Sequence, residues 1–319
     1  MAKQPEPIEM VALCDAHDLA KIFGPHFAEQ APWIHLRRPQ EVEAPDKVAF
    51  GLGYRPNAER LKHYPNLKLI CSIAAGVEAL LDQPHMSEDT IISRLCDDEQ
   101  AAMMAGFAAW HVIWHHRGMK RYLQQRQDRV WDSFNKAPPS RMAVGVLGYG
   151  LMGKAVAKAL QGLGYPVSAL VRSRPAETPA GIELLAGAEG LAELAAKSDV
   201  LINVLPLTGE TEGLLAAPVF AQMKRGAYLV NLGRGQHLNE ADLLQALNAG
   251  QLSGAALDVF EREPLPASSP LWDHPEVLIT PHVASECDDA KVVSFAIAEI
   301  RRFQAGEALV GRVDRVKGY

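Results

Sequence analysis

The stretch MAVGVLGYGLMGKAVAKALQG (142–162) limits the fold more than any other part of the chain. A short apolar run ending at Leu147 meets Gly148-Tyr149-Gly150-Leu151-Met152-Gly153, and an unbroken helical pattern begins at Leu151. In a strand–GxGxxG–helix unit the first glycine permits the tight turn and the second lets backbone approach a pyrophosphate. The third brings helix and strand into close packing. The helix N-terminus adds free N–H groups and a partial positive charge for the phosphates. The motif therefore implies a bound dinucleotide. A purely structural turn is the competing reading, and the complete strand–GxGxxG–helix–strand order, with PVSALV following at 166–171, weighs against it.

That unit sits in a longer alternation. Apolar runs predict strands at 142–147, 166–171, 200–204, 227–231, 254–258 and 277–280, and helices at 152–162, 190–197, 218–223 and 239–249. Asn239 is the expected N-cap and Gly250 the stop of the last of these helices. A separate alternation precedes it, with strands at 8–13, 33–36, 48–52, 67–73 and 91–95 and helical patterns at 17–27 and in NAERLKHY (57–64). Between the two, residues 99–130 contain no proline and read as one helix, or two joined at Gly118. KAPPSR (136–141) reads as a linker, and 289–304 as a last helix. Two such series in 319 residues predict an α/β protein of two doubly wound parallel-sheet domains.

The end of the strand after the glycine motif discriminates between dinucleotides. A carboxylate there accepts hydrogen bonds from the ribose hydroxyls of NAD and repels the 2′-phosphate of NADP. This chain has Arg172-Ser173-Arg174 instead, 19 to 21 residues beyond Gly153, and no carboxylate until Glu177. Guanidinium groups bind a phosphate through paired, charge-assisted hydrogen bonds, so NADPH is expected over NADH. Two solvated arginines are the alternative.

Three further segments each follow a predicted strand, at the edge where open α/β sheets bind ligands. They are Asn231-Leu232-Gly233-Arg234-Gly235, then Asp258 to Leu265 (DVFEREPL), then Thr280 to Ser285 (TPHVAS). With LGYGLMG, these segments resemble the D-isomer-specific 2-hydroxyacid dehydrogenases in order and spacing, over about 45–305. Within that family the chain is most similar to the NADPH-preferring bacterial glyoxylate/hydroxypyruvate reductases. The resemblance implies a Rossmann cofactor domain at 99–288 and a flavodoxin-like substrate domain made of 1–98 and 289–319. It implies hydride transfer between NADPH and a small 2-oxo acid. His282 would be the general acid, since imidazole titrates near neutrality. Glu263 would hold the ring and favour its protonated form. Arg234 would bind the carboxylate and carbonyl oxygen.

By the same resemblance Asp258 accepts a hydrogen bond from the nicotinamide amide, and Leu205, Pro206, Leu232 and Gly233 complete the cofactor surface. The backbone of Ala75-Gly76-Val77 would hold the substrate carboxylate. The family usually reads Gly-x-Gly-Val-Asp there, and this chain reads Ala74-Ala75-Gly76-Val77-Glu78, which leaves the loop's shape open. Upstream, Tyr54 and Arg55 fit either the pocket or a surface turn. A homodimer through the Trp-containing helices of 99–130 is also implied.

Other classes of function find no support. The net charge is −6, without the basic stripe of a nucleic-acid binder, and no apolar run is long enough to span a membrane. The four cysteines lack metal or redox spacing, and no leader-like N-terminus is present, so a cytoplasmic protein with free thiols is expected. No metal is expected. His111 and His115 share a helix face with Trp110 and Trp114, but the Glu of an HExxH site and a third ligand are missing, and helix-surface or interface histidines are the simpler reading. Asp97, Asp98 and Glu99 read as helix-initiating charge. Two rivals remain: an NAD-dependent oxidation of a D-hydroxy acid, and a non-catalytic dinucleotide sensor.

Overall fold

The computed structural model describes residues 6–174 and 179–319. They form two compact units, one of residues up to Asp97 together with Cys287–Tyr319, the other Asp98–Glu286.

The first unit begins with β1 (Ile8–Leu13), α1 (Leu19–Gln30), β2 (Ile34–Arg37), β3 (Phe50–Gly53), α2 (Ala58–Leu61), β4 (Leu69–Ser72), α3 (Glu78–Leu81) and β5 (Ile91–Ser93). The strand order is β2-β1-β3-β4-β5, all parallel, which is the flavodoxin-like arrangement expected. The central strands β3 and β4 are apolar and buried throughout because both faces are covered, whereas the edge strand β2 exposes His35 and Arg37. Asp18 caps α1 by accepting from the Lys21 N–H at 3.1 Å.

The second unit opens with α4 (Asp98–Arg117) and α5 (Met119–Asp128), divided at Gly118 in a left-handed conformation (φ 63°). The sheet elements follow: β6 (Val144–Leu147), α6 (Leu151–Gly162), β7 (Val167–Val171), β8 (Ile182–Ala186), α7 (Gly187–Lys197), β9 (Val200–Asn203), α8 (Ala217–Gln222), β10 (Ala227–Asn231), α9 (Glu240–Asn248), β11 (Leu252–Leu257) and β12 (Val277–Ile279). The order β12-β11-β10-β9-β6-β7-β8 is parallel throughout and reverses direction beside β6, as in a Rossmann sheet. Ala105, Ala108 and Val112 of α4 are buried in one cluster with Val156, Ala157 and Leu160 of α6. The last helix, α10 (Asp289–Ala305), returns to the first unit, where Val292, Val293, Ala296, Ile297 and Ile300 join the core with Phe23 and Phe27 of α1.

Several expectations need correction. No strand was expected at 182–186, where Ile-Glu-Leu-Leu-Ala has helix-forming composition; β8 forms because it pairs with β7 over five residues. Likewise α3 was not expected. KAPPSR connects α5 to β6 within the second unit, where His116 Nε2 sits 2.8 Å from the Ala137 carbonyl. His111 is not a surface histidine but is 1% exposed, against Phe107 and Trp110. Among the described residues no helix is long and apolar enough to cross a membrane, and no group of three metal-ligating side chains occurs.

Candidate active site

The glycine motif can be tested for a dinucleotide one residue at a time. Gly148 has φ 99°, a conformation side chains rarely adopt, and makes the turn out of β6. A Cβ on Gly150 would meet nothing within 4 Å, so this backbone is open to a ligand. A Cβ on Gly153 would stand 2.0 Å from the Gly148 carbonyl oxygen, so helix and turn touch there backbone to backbone. No side chain caps the N-terminus of α6, whose first residues are Leu151 and Met152. All three glycine roles are thus present, and the cradle fits a pyrophosphate. Tyr149 lies beside it, with Lys154 Nζ 5.9 Å from the ring centre.

Arg172, Ser173 and Arg174 are exposed just past the C-terminal end of β7. Arg172 Nη2 pairs at 3.1 Å with Glu210, on the loop after β9. Glu177 lies outside the described residues. Along that loop Leu205 donates its N–H to Asn203 Oδ1 at 3.1 Å, and the Pro206 carbonyl accepts from Thr211 Oγ1 at 2.8 Å. Leu205 also borders the turn, since a Cβ on Gly148 would lie 3.3 Å from Leu205 Cδ2.

β10, β11 and β12 are adjacent parallel strands, so the loops at their C-terminal ends share one sheet edge. Past β12, His282 Nδ1 lies 2.8 Å from Oε2 of Glu263, which follows β11. A carboxylate only accepts, so Nδ1 carries the donated proton and Nε2 is the atom left to exchange one. The other oxygen, Glu263 Oε1, accepts the Phe260 N–H at 3.1 Å. His282 itself is left-handed, with φ 57°. Asp258, 1% exposed, secures that turn: Oδ1 accepts from Thr280 Oγ1 (2.6 Å) and Val283 N (3.0 Å), and Oδ2 from Ala284 N (2.9 Å).

Past β10, Asn231 Nδ2 donates to the Arg234 carbonyl at 3.2 Å, and Arg234 Nη1 donates to the Gly233 carbonyl at 2.8 Å. Leu232 is buried and donates its N–H to the Asn203 carbonyl at 3.0 Å. A Cβ on Gly233 would stand 2.8 Å from Asn203 Nδ2. A Cβ on Gly235 would stand 1.8 Å from the Phe260 carbonyl carbon, so the loop of Arg234 lies directly on the backbone that leads to Glu263.

In the first unit, Ala75, Gly76 and Val77 form the turn into α3 after β4. Ser72 Oγ shapes it by accepting the Ala74 N–H at 3.1 Å. Among the described residues the N–H groups of Ala75, Gly76 and Val77 donate to no protein acceptor, which leaves them available to an anion. Tyr54 stacks on His17 and lies under Arg55, which is exposed and left-handed with φ 45°.

The model of the D-isomer specific 2-hydroxyacid dehydrogenase NAD-binding domain matches residues 109–284. The chain belongs to that family. Among its relatives, glyoxylate/hydroxypyruvate reductase A of Citrobacter koseri is 38% identical over 299 residues, covering 92% of this chain and 94% of that one. A family member from Xanthobacter autotrophicus, solved with NADPH and MES, superposes with a TM-score of 0.92 at 32% identity, over 99% of this chain and 100% of that one. The NADPH-dependent glyoxylate/hydroxypyruvate reductase of Sinorhizobium meliloti, solved with NADP and sulfate, gives a TM-score of 0.89 at 28% identity, over 99% and 100%.

Two features of this dehydrogenase escaped the sequence reading. Asn203, Asn231 and His237 are fully buried polar residues around the Arg234 loop. The signal was an asparagine closing each of two apolar strands, VLIN and YLVN. The other is Asp258, whose hydrogen bonds inside the protein hold the His282 turn.

Proposed function

We propose that this chain reduces small 2-oxo acids, such as glyoxylate and hydroxypyruvate, with NADPH in preference to NADH. The observation that carries the reading is the 2.8 Å contact between His282 Nδ1 and Glu263, on loops beside that of Arg234. When bound on the Gly148–Gly153 cradle, NADPH supplies the hydride. His282 Nε2–H gives a proton to the carbonyl oxygen as the carbonyl carbon is reduced. Glu263 keeps the ring oriented through its contact with Nδ1. The planar Arg234 guanidinium holds the carboxylate and the carbonyl oxygen together, which orients the substrate and offsets developing charge. The N–H groups of Ala75, Gly76 and Val77 in the first unit suit a substrate carboxylate. Asp258 holds the His282 turn, and its remaining acceptor capacity suits the nicotinamide amide.

Arg172 and Arg174 stand where the family's NAD enzymes carry a carboxylate, and two NADP-bound relatives share the fold. The cofactor domain is taken as 99–288 and the substrate domain as 1–98 with 289–319. A homodimer in the cytoplasm completes the reading. It is supported by Trp110 and Ile113 on the outer side of α4, both more than a third exposed, by fully exposed Trp131, and by four free thiols. The test is a panel of 2-oxo acids assayed with NADPH and NADH. NADPH-dependent turnover of glyoxylate or hydroxypyruvate is expected; binding of NADPH with no turnover of any 2-oxo acid would point to a sensor.

A further inference from the structure

We propose that His237 is a positioning residue that locks the substrate arginine to the cofactor loop, so that each of its two ring nitrogens serves a different ligand. The inference rests on the roles given above to Arg234 and to the loop of Leu205 and Pro206.

His237 ends the turn Gly235–His237 and is completely buried. Its Nδ1 lies 3.1 Å from the backbone nitrogen of Arg234 and 2.8 Å from Asn203 Nδ2. Both neighbours are donors. The backbone N–H can only donate, and the Asn203 amide is fixed in orientation because its Oδ1 already accepts from Leu205 N at 3.1 Å. Nδ1 is therefore the bare, accepting nitrogen, and the proton sits on Nε2. That nitrogen lies 3.2 Å from the Pro206 carbonyl, to which it donates. Asn203 Nδ2 also reaches Asn231 Oδ1 at 2.9 Å, and Asn231 Oδ1 in turn accepts from Gly233 N at 3.3 Å. The rigid ring thus sets the separation between the peptide of Arg234 and the backbone of Pro206. Gly233 leaves it no slack, since a Cβ there would stand 3.0 Å from Nδ1.

The two halves can be separated, because an asparagine places its amide oxygen near the position of Nδ1 and a glutamine places its amide nitrogen near that of Nε2. His237→Asn keeps the acceptor for Arg234 and loses the donor to Pro206. The NADPH Kd should rise about five- to tenfold while the glyoxylate KM stays within about twofold. His237→Gln does the reverse: the glyoxylate KM should rise about tenfold with NADPH affinity nearly unchanged. Parallel changes in both constants in both variants, or a lowered thermal midpoint with unchanged constants, would reduce His237 to a structural residue and overturn the proposal. Arg234→Lys is run alongside. If it raises KM and His237→Gln does not, the positioning role alone fails; if it leaves KM unchanged, the substrate role of Arg234 fails and the proposal with it. Should neither His237 variant fold, ¹⁵N NMR of ring-labelled wild-type enzyme decides. A neutral ring protonated on Nε2 at pH 7 supports the arrangement, and a ring protonated on Nδ1 refutes it.

Discussion

Glu263 meets His282 with one carboxylate oxygen, 2.8 Å from Nδ1, while its other oxygen is held 3.1 Å from the Phe260 N–H. The acid is thus fixed to its own loop before it orients the imidazole, and the ring has one nitrogen committed and one free to work. His282→Asn keeps a group of similar size but no titratable donor. Turnover should fall roughly 100-fold or more, with NADPH affinity retained. Near wild-type turnover in the purified variant would remove His282 from the chemistry.

Arg234→Lys keeps the charge and loses the planar fork. The glyoxylate KM should rise and kcat/KM fall by roughly tenfold or more, equivalent to the loss of one charge-assisted hydrogen bond. Steady-state kinetics at saturating NADPH measure it, and unchanged constants would place the guanidinium away from substrate.

Cofactor choice should depend on Arg172 and Arg174. Each charge-assisted hydrogen bond to a 2′-phosphate is worth about 1.5–3 kcal/mol, so Arg172→Ala or Arg174→Ala should weaken NADPH binding by roughly 10- to 100-fold and leave NADH little changed. Glu210 pairs with Arg172 at 3.1 Å and would compete with a 2′-phosphate for it. Glu210→Gln should therefore tighten NADPH binding by about two- to fivefold, the scale of an exposed ion pair. The ratio of kcat/KM for the two cofactors reads all three variants, and a wild-type preference for NADH would refute the assignment.

Acid should destabilise the second unit through α4. Burial pushes His111 and His115 down to about 4 from an ordinary 6.5, because the charged ring would lose its hydration. Both are neutral when folded, while the unfolded chain takes up protons below pH 6.5. The stability they confer is complete above pH 6.5 and is lost as pH falls from 6.5 towards 4. Thermal midpoints across that window should fall, and His111→Phe should flatten the slope. Identical slopes in variant and wild type would contradict this.

Glu299 anchors the C-terminal segment of the first unit. It is 1% exposed and accepts from Ser93 Oγ, from Val310 N at 3.1 Å and from Gly311 N at 3.2 Å. Glu299→Ala leaves these donors unsatisfied and should cost roughly 3–5 kcal/mol, measured by denaturant unfolding. A loss below about 1 kcal/mol would mean that water or another acceptor replaces the carboxylate.

Much of this was legible in the sequence because short-range rules govern it. The glycine turn, the Asn239 cap, which accepts from Asp242 N at 3.0 Å, and the stop at Gly250 are decided by neighbouring residues. So is the placing of Arg234, Glu263 and His282 after strands. β8 was not legible, since Ile182–Ala186 becomes a strand only through its partner β7. Nor were the bonds from His237 to Pro206 and from Asp258 to Val283 and Ala284, which span 25 to 31 positions. Pairings over such separations are fixed by sheet topology, and a linear reading of residue types does not contain it.

The contact at Gly235 has a consequence for how this site can change over evolutionary time. Because the loop bearing Arg234 lies directly on the Phe260 backbone, the interval between the two loops is set by peptide dimensions and not by side-chain packing. Apart from the buried Asn203, Asn231 and His237 that hold the Arg234 loop, core residues beneath it can then be exchanged with the interval between the two loops retained. A new substrate preference would then have to come from residues outside this backbone junction, with the reducing chemistry carried along intact.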